Sequence, residues 1–241
     1  MKQIILLYLL CISTNIAFGG VDTVQVYSGA MDQTIPNLVI TPKDYTEQND
    51  ELPVIYLLHG AGGYFSNWFF RVPEIEQYAT DYNIIIVCPD GDKTSWYIDS
   101  PIDSTSQYES YITRELVPAI DQKYRTIKQK NGRAITGLSM GGHGAFYLAF
   151  RHQDIWGAAG SMSGGVNIIP FAEEWNMDEI LGPYHQFKKN WEDHTVINLI
   201  HLLNGDLKII FDCGTEDFFA DVNKELHEKF VIEGIPHEYT V

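Results

Sequence analysis

The segment "AITGLSMGGHGAF" holds Ser139 between Gly137 and Gly141, at the joint of an apolar run, "RAIT", and a helix-forming one, "GGHGAFYLAFRH". A serine on a sharp strand-to-helix turn can attack an acyl carbon. The turn lifts its hydroxyl clear of the backbone, and the flanking glycines leave room where a Cβ would clash. The helix N-terminus aims its N–H groups and dipole at the negative charge that develops. Ser163 in "SMSGG" also ends an apolar run. Ser161 stands where the first glycine would be, and no helix pattern follows, so Ser163 reads as a strand-end or pocket residue.

Such an attack needs donors for the oxyanion. One is the N–H of the residue after the nucleophile, Met140. The other is expected from the His-Gly loop "LLHGAGG", assigned to Ala61 with Gly62 as the alternative. An acid is expected next in chain order, and "DCGTEDFF" supplies Asp217 in the turn after a strand. Asp212 and Glu216 are the alternatives, and an Asp at this place can also cap the following helix. The base should follow the acid. Of the eight histidines, His227 and His237 do so. His227 lies on an amphipathic helix and reads as exposed; His237, in "GIPHEYTV", starts a strand instead of following one. The chain thus offers a nucleophile, oxyanion donors and an acid, but no well-placed base. His194 and His201 are seven apart in an apolar run, with no third ligand in register, so no metal and no cofactor is expected.

Those residues need a frame. The runs "TVQVYS" and "NLVITP" read as hairpin strands. "PVIYLLHG", "NIIIVCPDG", "RAITGLS", "WGAAGSMSG" and "LKIIFDCG" are near-continuous apolar runs ending in turn residues, as in a parallel sheet covered on both faces. Helices fall between them. "SQYESYITRELVPAIDQKY" sets Tyr108, Ile112, Leu116 and Ile120 four apart, with Pro118 expected to kink it or mark a weak turn. "FADVNKELHEKFVIEG" repeats the spacing with Val222, Leu226 and Phe230. The alternation predicts an α/β fold with a mostly parallel central sheet and helices on both faces, its chemistry at the carboxyl ends of the strands. Residues 167–203 interrupt the rhythm with Trp175, Tyr184 and Trp191, and read either as an insertion over the site or as surface elaboration.

The 241 residues suit one larger α/β domain. "MKQIILLYLLCISTNIAFGG" has a basic start, a short apolar core and small residues at Ala17 and Gly19, the pattern of a secretory signal over 1–19. The expected product is an exported or periplasmic domain, residues 20–241, with no membrane span. The formal charge is −16, and loss of Lys2 makes it more negative still. That balance opposes nucleic-acid binding and favours no particular substrate. Cys88 and Cys213 each end an apolar run and read as buried free thiols.

At these residues the chain resembles the putative-esterase family of α/β hydrolases, which includes esterase D-like enzymes, feruloyl and acetylxylan esterases of carbohydrate esterase family one, and mycolyl transferases. "PVIYLLHGAGG", "SWYIDSP", "GRAITGLSMGGHGAFYLA", "GAAGSMSGG" and "DCGTEDFF" carry the likeness, which runs from about Val21 to the end. The resemblance implies an α/β-hydrolase fold with Ser139 as nucleophile, Asp217 as acid, and Ala61 and Met140 as oxyanion donors. In relatives, a strand like "GIPHEYT" runs into a loop that carries the base, and an aromatic-rich helix then completes the fold. Neither is found before Val241, so a C-terminally truncated domain, with its last strand and helix incomplete and its activity nearly lost, is the expectation.

The resemblance further implies a small-molecule or polysaccharide ester as substrate, with acyl or feruloyl esters of plant polysaccharides first in line. Trp96 and Tyr97, after a strand end, and Trp68, after the oxyanion loop, can wall its pocket or lie in the core. An acyltransferase on the same fold, and a catalytically dead carbohydrate-binding homologue, are the alternative readings.

Overall fold

The computed structural model describes residues 20–47 and 49–241; the expected signal, 1–19, lies outside the described residues. The chain runs β1 (Val21–Ser28), β2 (Gln33–Ile40), β3 (Val54–Leu58), α1 (Asn67–Arg71), α2 (Ile75–Asp81) and β4 (Ile85–Pro89). Next come α3 (Tyr108–Ser110), a π-helical segment (Tyr111–Leu116), α4 (Val117–Lys123), β5 (Arg133–Gly137), α5 (Met140–Arg151) and β6 (Ala158–Met162). The short helices α6 (Asp178–Leu181) and α7 (Lys188–Asp193) precede β7 (Lys208–Asp212), α8 (Ala220–Ile232) and β8 (Glu238–Thr240).

The strands form one sheet in the order β1-β2-β4-β3-β5-β6-β7-β8. β1–β2 and β2–β4 are antiparallel, and the remaining pairs are parallel. β3 through β8 therefore end at one rim, where loops from neighbouring strands meet. The mostly parallel sheet of the sequence reading is present, opened by the expected hairpin.

The large core lies on one face, where α5, α8 and the segment from α3 to α4 pack on Val54, Tyr56, Ile135, Ala159 and Phe211. On the other face α1 and α2 cover Leu38, Ile40, Ile86 and Cys88. Cover on both faces does not extend along the whole sheet. In β7, Ile209 and Phe211 are buried while Ile210 is 53% exposed. No described helix reaches the outer side of that strand, because α1 and α2 are spent on the β2–β4 end. Cys88 and Cys213 are buried free thiols, and burial pushes Cys88 up to about 12.

The helical run from Tyr108 to Lys123 continues through Pro118, and a π segment precedes the proline, in which the Val117 N–H bonds back to the Ile112 carbonyl. A proline cannot donate to the carbonyl four residues before it. Widening the turn re-pairs the neighbouring groups and keeps Tyr108, Ile112, Leu116 and Ile120 buried.

Glu109 ties this run to the helix behind Ser139. Its buried carboxylate accepts hydrogen bonds from the Tyr147 hydroxyl (2.8 Å), Arg151 Nε (2.8 Å) and His152 Nε2 (2.7 Å). Burial alone would raise its pKa, but the bonds from His152, Arg151 and Tyr147 outweigh it and hold the group at about 2, against an ordinary 4.5. As pH falls, the unfolded chain takes up this proton first. The stabilisation is complete above about 4.5 and is lost as pH drops toward 2. Denaturant melts at pH 7 and pH 3 should differ by about 2 kcal/mol through this group. Glu109→Gln should flatten that dependence; an unchanged pH slope in the variant would count against the network.

Candidate active site

β5 delivers Ser139 to the rim. Its backbone is left-handed, with φ 58° and ψ −115°, at the start of α5. A non-glycine residue in such a conformation costs on the order of 1–3 kcal/mol and persists only where its surroundings impose it. Here they do. The Ser139 N–H donates to the Met162 carbonyl at 2.9 Å, pinning the turn to the end of β6. A Cβ on Gly137 would lie 2.5 Å from the Gly141 backbone, and one on Gly141 would lie 2.5 Å from the Leu58 carbonyl oxygen. Only glycine lets α5 start this close to β3 and β5.

Two donors stand near the half-buried serine. Met140 is the first residue of α5, so its N–H has no helical acceptor. In the loop after β3, the Gly62 N–H is taken by the Lys93 carbonyl (2.8 Å) and that of Gly63 by Gly60 (3.0 Å). The Ala61 N–H meets no acceptor among the described residues, so the geometry separates Ala61 from Gly62. Gly60 lies against Ser139: a Cβ on it would be 3.5 Å from the serine Cβ. This loop, Asn67, Arg71, Leu138, Ser139 and Trp175 line a cleft of about 230 Å³.

Asp217 sits in the turn after β7, half-buried, and its Oδ1 accepts the Phe219 N–H at 2.8 Å at the head of α8. That bond closes the turn leading into the helix. β6 alone separates its strand from β5, a lateral span of about 10 Å at ordinary strand spacing. Asp212 remains in β7, its carbonyl accepting the Ser163 N–H, and partial burial pushes its carboxyl up. Glu216 is exposed.

None of the eight histidines hydrogen-bonds Ser139 or Asp217. His59 is spent beneath the loop: its Nε2 accepts the Gly91 N–H (2.9 Å), which leaves Nδ1 to donate to Gly60 O (2.9 Å). His143 is wholly buried, with its nitrogens against the Trp96 and His194 carbonyls. His237 lies just before β8, at the end of that strand remote from the rim, and its Nε2 pairs with His227 Nδ1 at 2.8 Å. His227 is half-buried by that contact and by stacking on Tyr239, where the helical pattern reads as exposed.

The aromatic pocket needs correction. Trp96 and Tyr97 are core residues, 2% and 0% exposed, and neither walls an open cleft. Their loop turns inward through left-handed φ values of 52° and 59°. The Tyr97 ring fills the space left by Gly91 and Gly144, and its hydroxyl donates to the His59 carbonyl at 3.1 Å. Trp96 packs edge-on to His143. Trp68 donates Nε1 to the Leu58 carbonyl (3.0 Å) and borders a small hollow beside the cleft. The wall itself is Trp175, from the segment 167–203, leaning on Phe218 and Phe219 with ring centroids 5.7 and 5.5 Å away. Phe218 is the exposed neighbour of Asp217. Trp175, Phe218, Asn67 and Arg71 were not singled out as site residues from sequence. Nothing in their local patterns marks them; only the break in strand–helix rhythm pointed toward Trp175.

Comparison with known proteins gives the following. A family profile described as "Putative esterase" matches residues 28–241. A Mycobacterium tuberculosis protein named Esterase Rv1288 is 34% identical over 133 residues, 54% of this chain and 29% of its own length. The chain thus spans less than a third of the curated relatives it matches. A solved ferulic acid esterase superposes with a TM-score of 0.77 at 26% identity, over 93% of this chain and 90% of that one. An S-formylglutathione hydrolase from Staphylococcus aureus shares the fold, with a TM-score of 0.79 at 19% identity over 92% and 89% of the two chains.

Proposed function

Since this chain belongs to the putative esterase family, we propose that it is an exported serine carboxylic-ester hydrolase acting on acyl or feruloyl esters of plant polysaccharides. One observation carries the chemistry: Ser139 is held in a left-handed turn at a helix start, beside two backbone N–H groups without acceptors.

The reaction follows from those groups. The substrate carbonyl enters the cleft with its oxygen toward the Ala61 and Met140 N–H groups. Ser139 Oγ attacks the carbonyl carbon, and the two N–H groups stabilise the oxyanion as it forms. The alcohol leaves with a proton, and water then releases the acid from the acyl-serine. Asp217 orients the imidazole that takes the serine proton and returns it to the leaving group. No described histidine occupies that place. Thr240 pairs with Asp212, and the Cys213 N–H donates to the Thr240 carbonyl at 3.2 Å. A chain continuing past β8 therefore emerges at the rim beside the Asp217 turn, and we assign the base to such a continuation. Trp175 and Phe218 offer ring faces to a planar acyl group such as feruloyl.

Assaying a form extended beyond Val241 against small aryl acetates and feruloylated or acetylated sugars tests this reading. Hydrolysis should be measurable and indifferent to a metal chelator. Loss of turnover in chelator, or no hydrolysis of any ester in the panel, would overturn it.

A further inference from the structure

Arg71 carries the one formal charge on the lining of the Ser139 cleft. It closes α1, directly after the oxyanion loop, and borders the small hollow beside the cleft as well. Its side chain makes no ion pair and no hydrogen bond among the described residues. Arg133 pairs with Asp121, Arg151 with Glu109, and Arg125 with the Tyr45 carbonyl, while Arg114, like Arg71, has no such partner among the described residues but lies away from the cleft. In sequence, Arg71 is the only Lys or Arg between Lys43 and Lys93, in a chain of net charge −16.

A guanidinium offers a planar fork of donors that matches a carboxylate. Asn67, one helical turn before Arg71, borders both hollows and adds an amide. The cleft lining therefore holds an aromatic ring, Trp175, and a cation, Arg71, together with Ser139. The overall negative charge gives an anion no long-range attraction, and it is screened beyond roughly 10 Å. Any preference for an anion must come from direct contact.

We infer that Arg71 is a specificity-determining residue selecting esters that carry a carboxylate close to the ester bond. The scissile bond in this inference rests on the serine-esterase reading. The carboxylate can sit on the acyl part, as in a dicarboxylic monoester, or on the alcohol part, as in an acidic sugar.

Binding, not turnover, tests it. In a Ser139→Ala background the esters survive. Two matched pairs are titrated by calorimetry. Methyl hydrogen succinate against dimethyl succinate places the charge on the acyl side. 4-Acetoxybenzoate against methyl 4-acetoxybenzoate places it on the leaving group. The charged member of at least one pair should bind about fivefold tighter, as for a partly exposed ion pair; which pair does so identifies the side. Adding Arg71→Gln should erase the preference, and Arg71→Lys should keep part of it. Equal affinities within both pairs, or a preference that survives Arg71→Gln, would overturn the assignment. Failure of the hydrolysis assay would instead remove the esterase reading and leave the binding preference standing.

Discussion

Ser139→Ala should lower ester turnover by about a thousandfold or more while leaving the fold and substrate affinity near their starting values. The hydroxyl is the nucleophile of the proposed acyl-enzyme, so its removal deletes the first bond formed. What remains is water attack assisted by the Ala61 and Met140 N–H groups, which accounts for a residual rate in enzymes of this kind. Stability should change little. Alanine meets the same left-handed backbone cost as serine at φ 58°, and the pinning bond to Met162 comes from the backbone N–H. Steady-state rates with an aryl acetate, beside a thermal melt of each protein, decide the matter. A folded Ser139→Ala protein that keeps its rate would end the acyl-serine mechanism.

The second large effect concerns the base. A serine hydroxyl is a poor nucleophile until its proton is removed during attack. Losing the histidine of a catalytic triad costs on the order of a millionfold in the subtilisin series. The chain ending at Val241 should therefore be slower than an extended, histidine-bearing form by several orders of magnitude. The competing base is His237. Its Nε2 is taken by His227, its Nδ1 lies 2.7 Å from the Ile235 carbonyl, and it precedes β8 at the end remote from Ser139. Comparable rates in the two forms, abolished by His237→Ala, would mean that this histidine reaches the serine and that the assignment to a continuation is wrong.

What could be read from the sequence divides along physical lines. The serine turn is contiguous, with strand, tight glycine turn and helix running from Arg133 to Arg151, so its pattern is written in one stretch even though Leu58 and Met162 help to hold it. The same holds for the loop after β3. Fully buried strands announce themselves as unbroken apolar runs, so the parallel sheet was legible too. The pocket walls were not. Trp96 follows a strand end as a wall residue would, yet it turns inward because Gly165, far along the chain, leaves space for its ring. Trp175 reaches the cleft from a segment without regular structure of any length, where periodicity carries no signal. The π segment before Pro118 escaped for a related reason. A widened turn preserves the four-residue spacing of Tyr108, Ile112, Leu116 and Ile120, so the pattern cannot distinguish it from an ordinary helix.

β8 is three residues long and pairs with β7 alone, whereas β5 lies between β3 and β6. The two halves of the site thus differ in the free energy of local opening. Amides of β5 should exchange with solvent only when the whole domain unfolds, because neighbours hold the strand on both edges. Those of β8 should exchange through fraying that costs a small part of the global stability. Ser139 is mounted on an inner strand of the sheet, and the Asp217 turn abuts its short edge strand. A ligand that bridges Ser139 and the Asp217 turn would therefore be felt first as slower exchange along the β7–β8 edge.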